Sequence, residues 1–271
     1  MTPAISIIVN TKNEAKNIKN CLNSILKQNF NEKIEIIVID NNSTDNTKKL
    51  AAEFTDQIYN FGPERSAQKN FGAMKARGNY LLFLDADMTL SVNLISEAIQ
   101  KFEKNKKLVA LYVPEKILAK GFFNKIRNFE RGFYENTVID AVRIIKKDAF
   151  LKINGFDEKL IAAEDWDLDK RLKKIGPTDI IISPLYHNEK ELNLKKILAK
   201  KKYYSSSIKY YIFKWGENDP DIKKQLGFTY RYLTVFTENK KWKKIIRHPI
   251  LFLSILFLKI LIGLTYLINK K

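Results

Sequence analysis

Residues 80–87 read YLLFLDAD, and this octapeptide decides the fold. Five apolar residues in succession, without polar alternation, predict a strand covered on both faces, as in a parallel sheet packed between helices. The run ends on Asp85-Ala86-Asp87, and residues two apart in an extended segment point to the same side. Two carboxylates can therefore face one place, at the carboxyl end of a strand, where open α/β sheets bind ligands. Hard oxygen donors of this kind suit Mg2+ or Mn2+, ions that also take phosphate oxygens.

Upstream, residues 5–9 (ISIIV) and 34–40 (IEIIVID) read as two more buried strands, and 57–60 as a short third. Residues 12–27 place Ala15, Ile18, Leu22, Ile25 and Leu26 at helical spacing. Asn41 to Asp45 is turn and N-cap chemistry opening a second helix, and residues 64–77 predict a third, closed by Gly78. Downstream, helices are expected at 92–105, 122–135 and 164–174. A strand is expected at 108–113, an edge strand at 141–145 and a last short strand at 180–183. Strand and helix alternate at the interval of βαβ units, which predicts an α/β fold with an open, mostly parallel sheet flanked by helices.

The first strand closes on Asn10-Thr11-Lys12-Asn13-Glu14 and the second on Asp40-Asn41. No glycine-rich dinucleotide fingerprint follows the first strand and no Walker loop is present, which argues against both of those nucleotide-binding classes. A second acidic cluster, Glu164-Asp165-Trp166-Asp167, opens a predicted helix. Acids in a first turn complement the helix dipole, and a carboxylate there can equally serve as a general base.

Of 271 residues, 48 are Lys or Arg and 30 Asp or Glu, a net charge of +18. Residues 1–187 carry only +5 of it and residues 188–271 carry +13. One cysteine, Cys21, excludes an internal disulfide and suits a reducing compartment, and with two histidines it also excludes a structural zinc cluster. The basic tail predicts an anionic partner, nucleic acid or lipid. Residues 192–215 read as a helix rich in aromatics and lysines. Residues 249–268 then form an apolar run whose one charge is Lys259. Twenty such residues suffice for a bilayer core of about 30 Å. A central lysine costs about 3 kcal/mol, which the leucines and isoleucines offset. A membrane-associated C-terminal helix is the expectation, either spanning the bilayer or lying in its plane.

Taken in order, these pieces resemble glycosyltransferase family 2, whose members have the GT-A fold and transfer sugars with inversion. The matching segments are the strand closing on Asn10 to Glu14, VIDNNSTDNT (38–47), ERSAQKN with Gly72, LLFLDAD (81–87), and NGFDEKL with AEDWDLDKRL (154–172). The resemblance covers residues 4–187. It implies a domain at 1–187, with a nucleotide-binding half (1–90) and an acceptor half (91–187), followed by the tail at 188–271. It also implies a nucleotide-diphosphate sugar as donor, with Asn10, Thr11, Glu14, Asp40, Asn41 and Arg65 contacting the nucleotide. Asn41 stands where many relatives have a second acid, so the base, uridine or guanosine, stays open. Asp85 would touch ribose or metal, Asp87 would be the principal ligand of Mg2+ or Mn2+, and His187 would reach the metal or diphosphate. Asp165 would be the catalytic base, and Glu164 would contact sugar hydroxyls.

The expected enzyme is thus a metal-dependent hexosyltransferase at a membrane, its catalytic domain cytoplasmic, acting on a lipid-linked or glycolipid acceptor with no nucleic acid involved. Two rivals follow from the same sequence. A sugar nucleotidyltransferase needs a glycine-rich phosphate loop, and residues 10–20 contain no glycine. A membrane-tethered nucleic-acid-binding protein would explain the basic tail but leaves Asp85, Asp87 and Asp165 without a role.

Overall fold

A computed structural model describes residues 2–189 and 208–268, with side chains up to residue 260 in the last helix. Most of the basic-aromatic helix expected at 192–215 lies outside the described residues. The chain forms two compact units, one of residues 1–115 and 141–187, the other of 116–140 and 188–271.

The first unit contains the strands β1 (Ile5–Thr11), β2 (Ile34–Asp40), β3 (Ile58–Asn60), β4 (Tyr80–Asp85), β5 (Met88–Leu90) and β6 (Ala110–Tyr112). β7 (Glu115–Leu118) leads out of it, and β8 (Val142–Lys146), β9 (Thr178–Ile180) and β10 (Leu185–Asn188) complete the strands. The main sheet has seven strands in the order β3-β2-β1-β4-β8-β6-β9. β1, β2, β3 and β4 run parallel, and β8 is antiparallel to both its neighbours. The segment at 141–145, expected at an edge, therefore lies in the interior of the sheet. β4 and β6 flank it, and its side chains are buried on both faces, Ile144 in one core and Val142 and Ile145 in the other.

The apolar runs of β1 and β4 divide between the two faces, as strand geometry requires. Ile5, Ile7, Val9, Leu82 and Leu84 pack with helices α1 (Ile18–Leu26) and α4 (Leu94–Lys104). Ile8, Leu81 and Phe83 pack on the other face with α3 (Arg65–Lys75), α6 (Lys147–Lys152) and α7 (Glu164–Lys173). A short α2 (Thr47–Ala51) follows β2.

Helix α3 ends before Gly78, because Ala76 already has extended backbone. Gly78 is needed for another reason: a Cβ there would meet the Ser6 backbone N at 2.6 Å. Its N–H donates to Ser6 Oγ (2.8 Å), and that hydroxyl donates to the buried Glu35 carboxylate (2.6 Å). Arg77 binds Glu35 through its backbone N–H (2.7 Å) and its Nε (2.6 Å). Burial alone would raise the Glu35 carboxyl, but the Ser6 and Arg77 hydrogen bonds hold it below the ordinary glutamate value of 4.5. An acid with a lowered folded pKa stabilises the fold above its unfolded value and loses that contribution as pH falls through the folded one. Glu35→Gln should therefore cost about 1–3 kcal/mol at neutral pH. The deficit should shrink in urea titrations run below the ordinary carboxylate range.

In the second unit, α5 (Gly121–Tyr134) packs with a C-terminal array. The array holds α8 (208–215), α9 (Pro220–Leu226), α10 (Phe228–Tyr232), α11 (Trp242–Arg247) and α12 (Pro249–Ile268). Phe133, Tyr134, Tyr230, Val235, Phe236 and Ile255 form its core. Segment 116–140 thus groups with this unit and not, as the sequence reading has it, within a continuous 1–187 domain. Its aromatic face needs partners, and Tyr230, Phe236 and Ile255 supply them. Among the described residues no helix is long and apolar enough to cross a membrane.

Candidate functional site

Strands β1, β2 and β4 end side by side. In register, Asn10 of β1 lies beside Asp85 of β4, and Thr11 beside Asp40 of β2. The segment after β1, expected to be helical from residue 12, is a loop as far as Asn17. Asn13 has left-handed backbone (φ 54°) and binds the loop after β2. Its N–H donates to Ser43 Oγ, its Oδ1 accepts from Thr44 N, and Glu14 N donates to Thr47 Oγ1, each at 2.8 Å. These bonds hold the two loops together above the strand ends. Asp40 is buried and turned to its own loop, accepting from Ser43 N (2.7 Å) and Ser43 Oγ (2.5 Å). Asn41 Nδ2 donates to Pro63 O (2.6 Å), fixing the segment before α3.

Four polar atoms here lack partners. Both amide atoms of Asn10, Thr11 Oγ1 and Asp87 Oδ1 are buried without a hydrogen bond. Each such atom costs about 1–3 kcal/mol, so their grouping at the sheet's ligand-binding edge marks a place built for a polar ligand.

Strand β5 pairs antiparallel with β10, which sets His187 opposite Met88 and beside Asp87. His187 Nε2 lies 3.2 Å from Asp87 Oδ2, and its Nδ1 lies 2.9 Å from Glu115 Oε1. Arg143 Nη2, on β8, reaches Glu115 Oε2 at 3.2 Å, and Arg143 Nη1 approaches Asp85 Oδ2 at 4.0 Å. A chain of charges therefore runs from Asp87 through His187, Glu115 and Arg143 to Asp85. Burial would lower the His187 pKa, but hydrogen bonds with Asp87 and Glu115 carry it to about 10. Burial raises the Glu14 carboxyl. The Asn17 hydrogen bond opposes that shift, and the charges of Asp87 and Asp85 add to it.

The donor set here suits a hard divalent cation. Asp87 offers a carboxylate oxygen without a partner, His187 a ring nitrogen beside it, and Glu14 and Asp85 add negative charge nearby. Among the described residues no three His, Cys, Asp or Glu side chains cluster as a complete metal cage. Mg2+ is commonly held by one or two protein carboxylates, with water and substrate phosphates completing its shell. A cation at His187 Nε2 would have to displace the proton there.

The acids of α7 separate by role. Ala163, immediately before the helix, has φ 62°, a left-handed conformation costing about 1 kcal/mol for a non-glycine residue. The turn directs Glu164 and Asp165 at α3. There Lys69 Nζ, almost fully buried, meets Asp165 Oδ1 at 2.9 Å and Glu164 Oε1 at 3.7 Å. Asp165 keeps 32% of its side chain exposed, against 7% for Glu164. Burial alone would raise the Asp165 carboxyl; Lys69, with Arg143 and Arg65, holds it below the ordinary aspartate value. Burial and the neighbouring Asp165 charge raise Glu164. Asp85, desolvated by burial, is lowered by Lys69, Arg143 and Arg65. By contrast, Asp167 binds Arg171 Nε (2.8 Å) and Asp169 binds the Tyr112 hydroxyl (2.5 Å), both within the fold.

The structure thus gathers Asn10, Thr11, Glu14, Asp85, Asp87 and His187 at the strand ends, and Arg65, Glu164 and Asp165 within one electrostatic field. Asp40 and Asn41 hold loops. Sequence reasoning missed Lys69, Arg143 and Glu115. Lys69 stands four residues after Arg65, on the same helical face, which was a usable signal. Arg143 is the charge between Val142 and Ile144 in an apolar run, a weaker one. Glu115 offered none.

Known proteins bear on this site. Residues 6–155 match the family described as glycosyl transferase family 2. The chain is 25% identical to chondroitin synthase of Escherichia coli over 265 residues, 90% of this chain and 37% of that protein. It is 35% identical over 109 residues to the GalNAc(5)-diNAcBac-PP-undecaprenol beta-1,3-glucosyltransferase of Campylobacter jejuni, 36% of this chain and 34% of that one. The matches therefore take in about a third of these relatives' own length. Among solved structures, the mannosyltransferase PcManGT of Pyrobaculum calidifontis, in complex with GDP-Man and Mn2+, superposes with a TM-score of 0.61 at 18% identity. That superposition covers 87% of this chain and 71% of the other. The mostly parallel sheet and the overlap with solved structures agree on a GT-A-like fold, and the family match covers more than half the sequence: the chain belongs to glycosyl transferase family 2.

Proposed function

We propose that the protein transfers a hexosyl group from a nucleoside-diphosphate sugar to an acceptor hydroxyl or phosphate, with inversion at the anomeric carbon. The observation carrying this reading is the set of buried, unpartnered polar atoms of Asn10, Thr11 and Asp87, with Asp85 beside Asn10 feeling the charges of Lys69 and Asp165, the latter held below its ordinary value by Lys69. Asn10 and Thr11 bind the nucleoside, and Arg65 and Arg143 supply positive charge toward the diphosphate. Asp165, ionised and partly open to solvent, takes the proton of the acceptor as its oxygen attacks. Glu164, beside Asp165 at the start of α7, contacts sugar hydroxyls. Asp87 and His187 would hold Mg2+ or Mn2+, which when bound neutralises charge on the departing diphosphate. The mannosyltransferase structure with GDP-Man and Mn2+ supports a donor and ion of this class. The name of the Campylobacter relative, which contains undecaprenol, supports a polyprenyl-linked acceptor for this chain; we further propose that the reaction takes place on the cytoplasmic side of a membrane.

A panel of UDP- and GDP-sugars, screened by thermal shift with and without Mn2+, tests the donor. One nucleotide sugar should raise the Tm in the presence of Mn2+, and Asp87→Asn should weaken that binding by at least roughly tenfold, the scale of a lost charged ligand. Equal binding without Mn2+, or none by any donor, would overturn the reading.

A further inference from the structure

We propose that the outer face of α12, together with the start of α5, docks on an anionic phospholipid surface, the helix lying in the plane of the bilayer. This inference needs neither donor nor acceptor and stands apart from the reaction proposed above.

Helix α12 has two faces. Phe252, Ile255 and Lys259, at helical spacing, turn into the second unit. Ile250, Leu253, Phe257 and Ile260, at the same spacing, turn outward and are 70%, 64%, 64% and 57% exposed. The one charge of the described part of the helix is thereby removed from its outer face. Lys259 Nζ donates to Arg231 O (2.8 Å), lies 3.7 Å from Glu130 Oε1, and sits over the Tyr232 and Phe236 rings at 4.9 and 5.1 Å. A spanning arrangement would have to break these contacts, whereas an in-plane arrangement keeps them. Phe122, Phe123 and Ile126 of α5 join Leu253 and Phe257 around a groove of about 510 Å³. The apolar surface is continuous across both helices.

The charges around it favour lipid. Neither 118–129 nor 241–260 contains an Asp or Glu, and Lys125, Lys243 and Arg247 are exposed. Trp242 beside them is 45% exposed, the kind of residue enriched where hydrocarbon meets headgroup. An apolar face flanked by these cations, with no acid in either described segment, complements an anionic bilayer. A second copy of the same face would bring cation against cation.

The test uses the full chain without nucleotide or metal, sedimented with vesicles of phosphatidylcholine alone or mixed with phosphatidylglycerol. Binding should favour the mixed vesicles by roughly tenfold or more and weaken with salt. Leu253→Glu/Phe257→Glu, placed at two exposed positions, should lower binding at least roughly tenfold while leaving circular dichroism and Tm unchanged. Equal binding of the double variant would overturn the proposal. So would a wild-type dimer that the variant breaks with no vesicle binding in either. Retention of bound wild type through an alkaline carbonate wash would overturn the in-plane arrangement.

Discussion

Asp165→Asn should lower the rate of sugar transfer by about 10²–10⁴-fold, the contribution of a positioned general base, while donor affinity changes little. The substitution removes the charge and keeps the shape. Asp165 Oδ1 accepts from Lys69 at 2.9 Å, and an asparagine oxygen can accept the same bond. Glu164, raised by burial and by the Asp165 charge, would ionise more readily once that charge is gone and keep Lys69 paired. The fold should therefore survive, and Tm should move little. Turnover measured beside donor binding by calorimetry separates the roles. If donor affinity collapses along with the rate, Asp165 belongs to the nucleotide site.

Lys69→Met should have the largest effect on stability. Its ammonium is buried against two carboxylates, with side-chain exposures of 5% for Lys69 and 7% for Glu164, and it packs over the Phe156 ring at 4.6 Å. Removing one partner of a buried ion pair costs about 3–5 kcal/mol, because the remaining charge is left uncompensated. The pH dependence has a definite sign. Burial would lower the Lys69 pKa, but Asp165 and Glu164 hold it above its ordinary value, while Lys69 holds Asp165 and Asp85 below theirs. Without the lysine, burial dominates and those acids rise. The variant should then be weakest near neutral pH, and its deficit should narrow as pH falls toward the carboxylate range and the acids protonate. Urea unfolding at several pH values checks this. A deficit that stays constant with pH would mean that Lys69 acts only by packing. Lys69→Arg, which keeps the charge, should recover most of the loss.

These two residues also show how much the sequence disclosed. Asp165 was legible because an acidic cluster at a helix start is local, and so was Asp85-Ala86-Asp87 at the end of an apolar strand. Lys69 was only partly so: it shares a helical face with Arg65, but its partner lies 96 residues away and nothing in its own segment shows that it is buried. Arg143 left only a weak mark in its own segment and Glu115 none, and their pairing became visible once β8 was placed inside the sheet. Periodicity likewise put the first helix at residue 12, where cross-loop hydrogen bonds from Asn13 and Glu14 prevail over local spacing. Asp40, read from the sequence as a nucleotide contact, also proves to be tied to its own turn through Ser43. The framework of strands was thus readable, whereas contacts joining distant segments were not. Hydrophobic alternation reports one strand's surroundings and is silent on its neighbours.

The grouping of segment 116–140 with the C-terminal helices has a practical consequence for anyone dividing the protein. Cutting the chain after residue 187, the boundary that charge and composition suggest, would strip α5 of Tyr230, Phe236 and Ile255. Phe133 and Tyr134 would then face water on a fragment meant to be soluble, and such a fragment would be prone to aggregate. A fragment that follows the compact units would also have to leave out residues 116–140. Loss of activity in a simple truncation would therefore report a damaged surface rather than a missing partner.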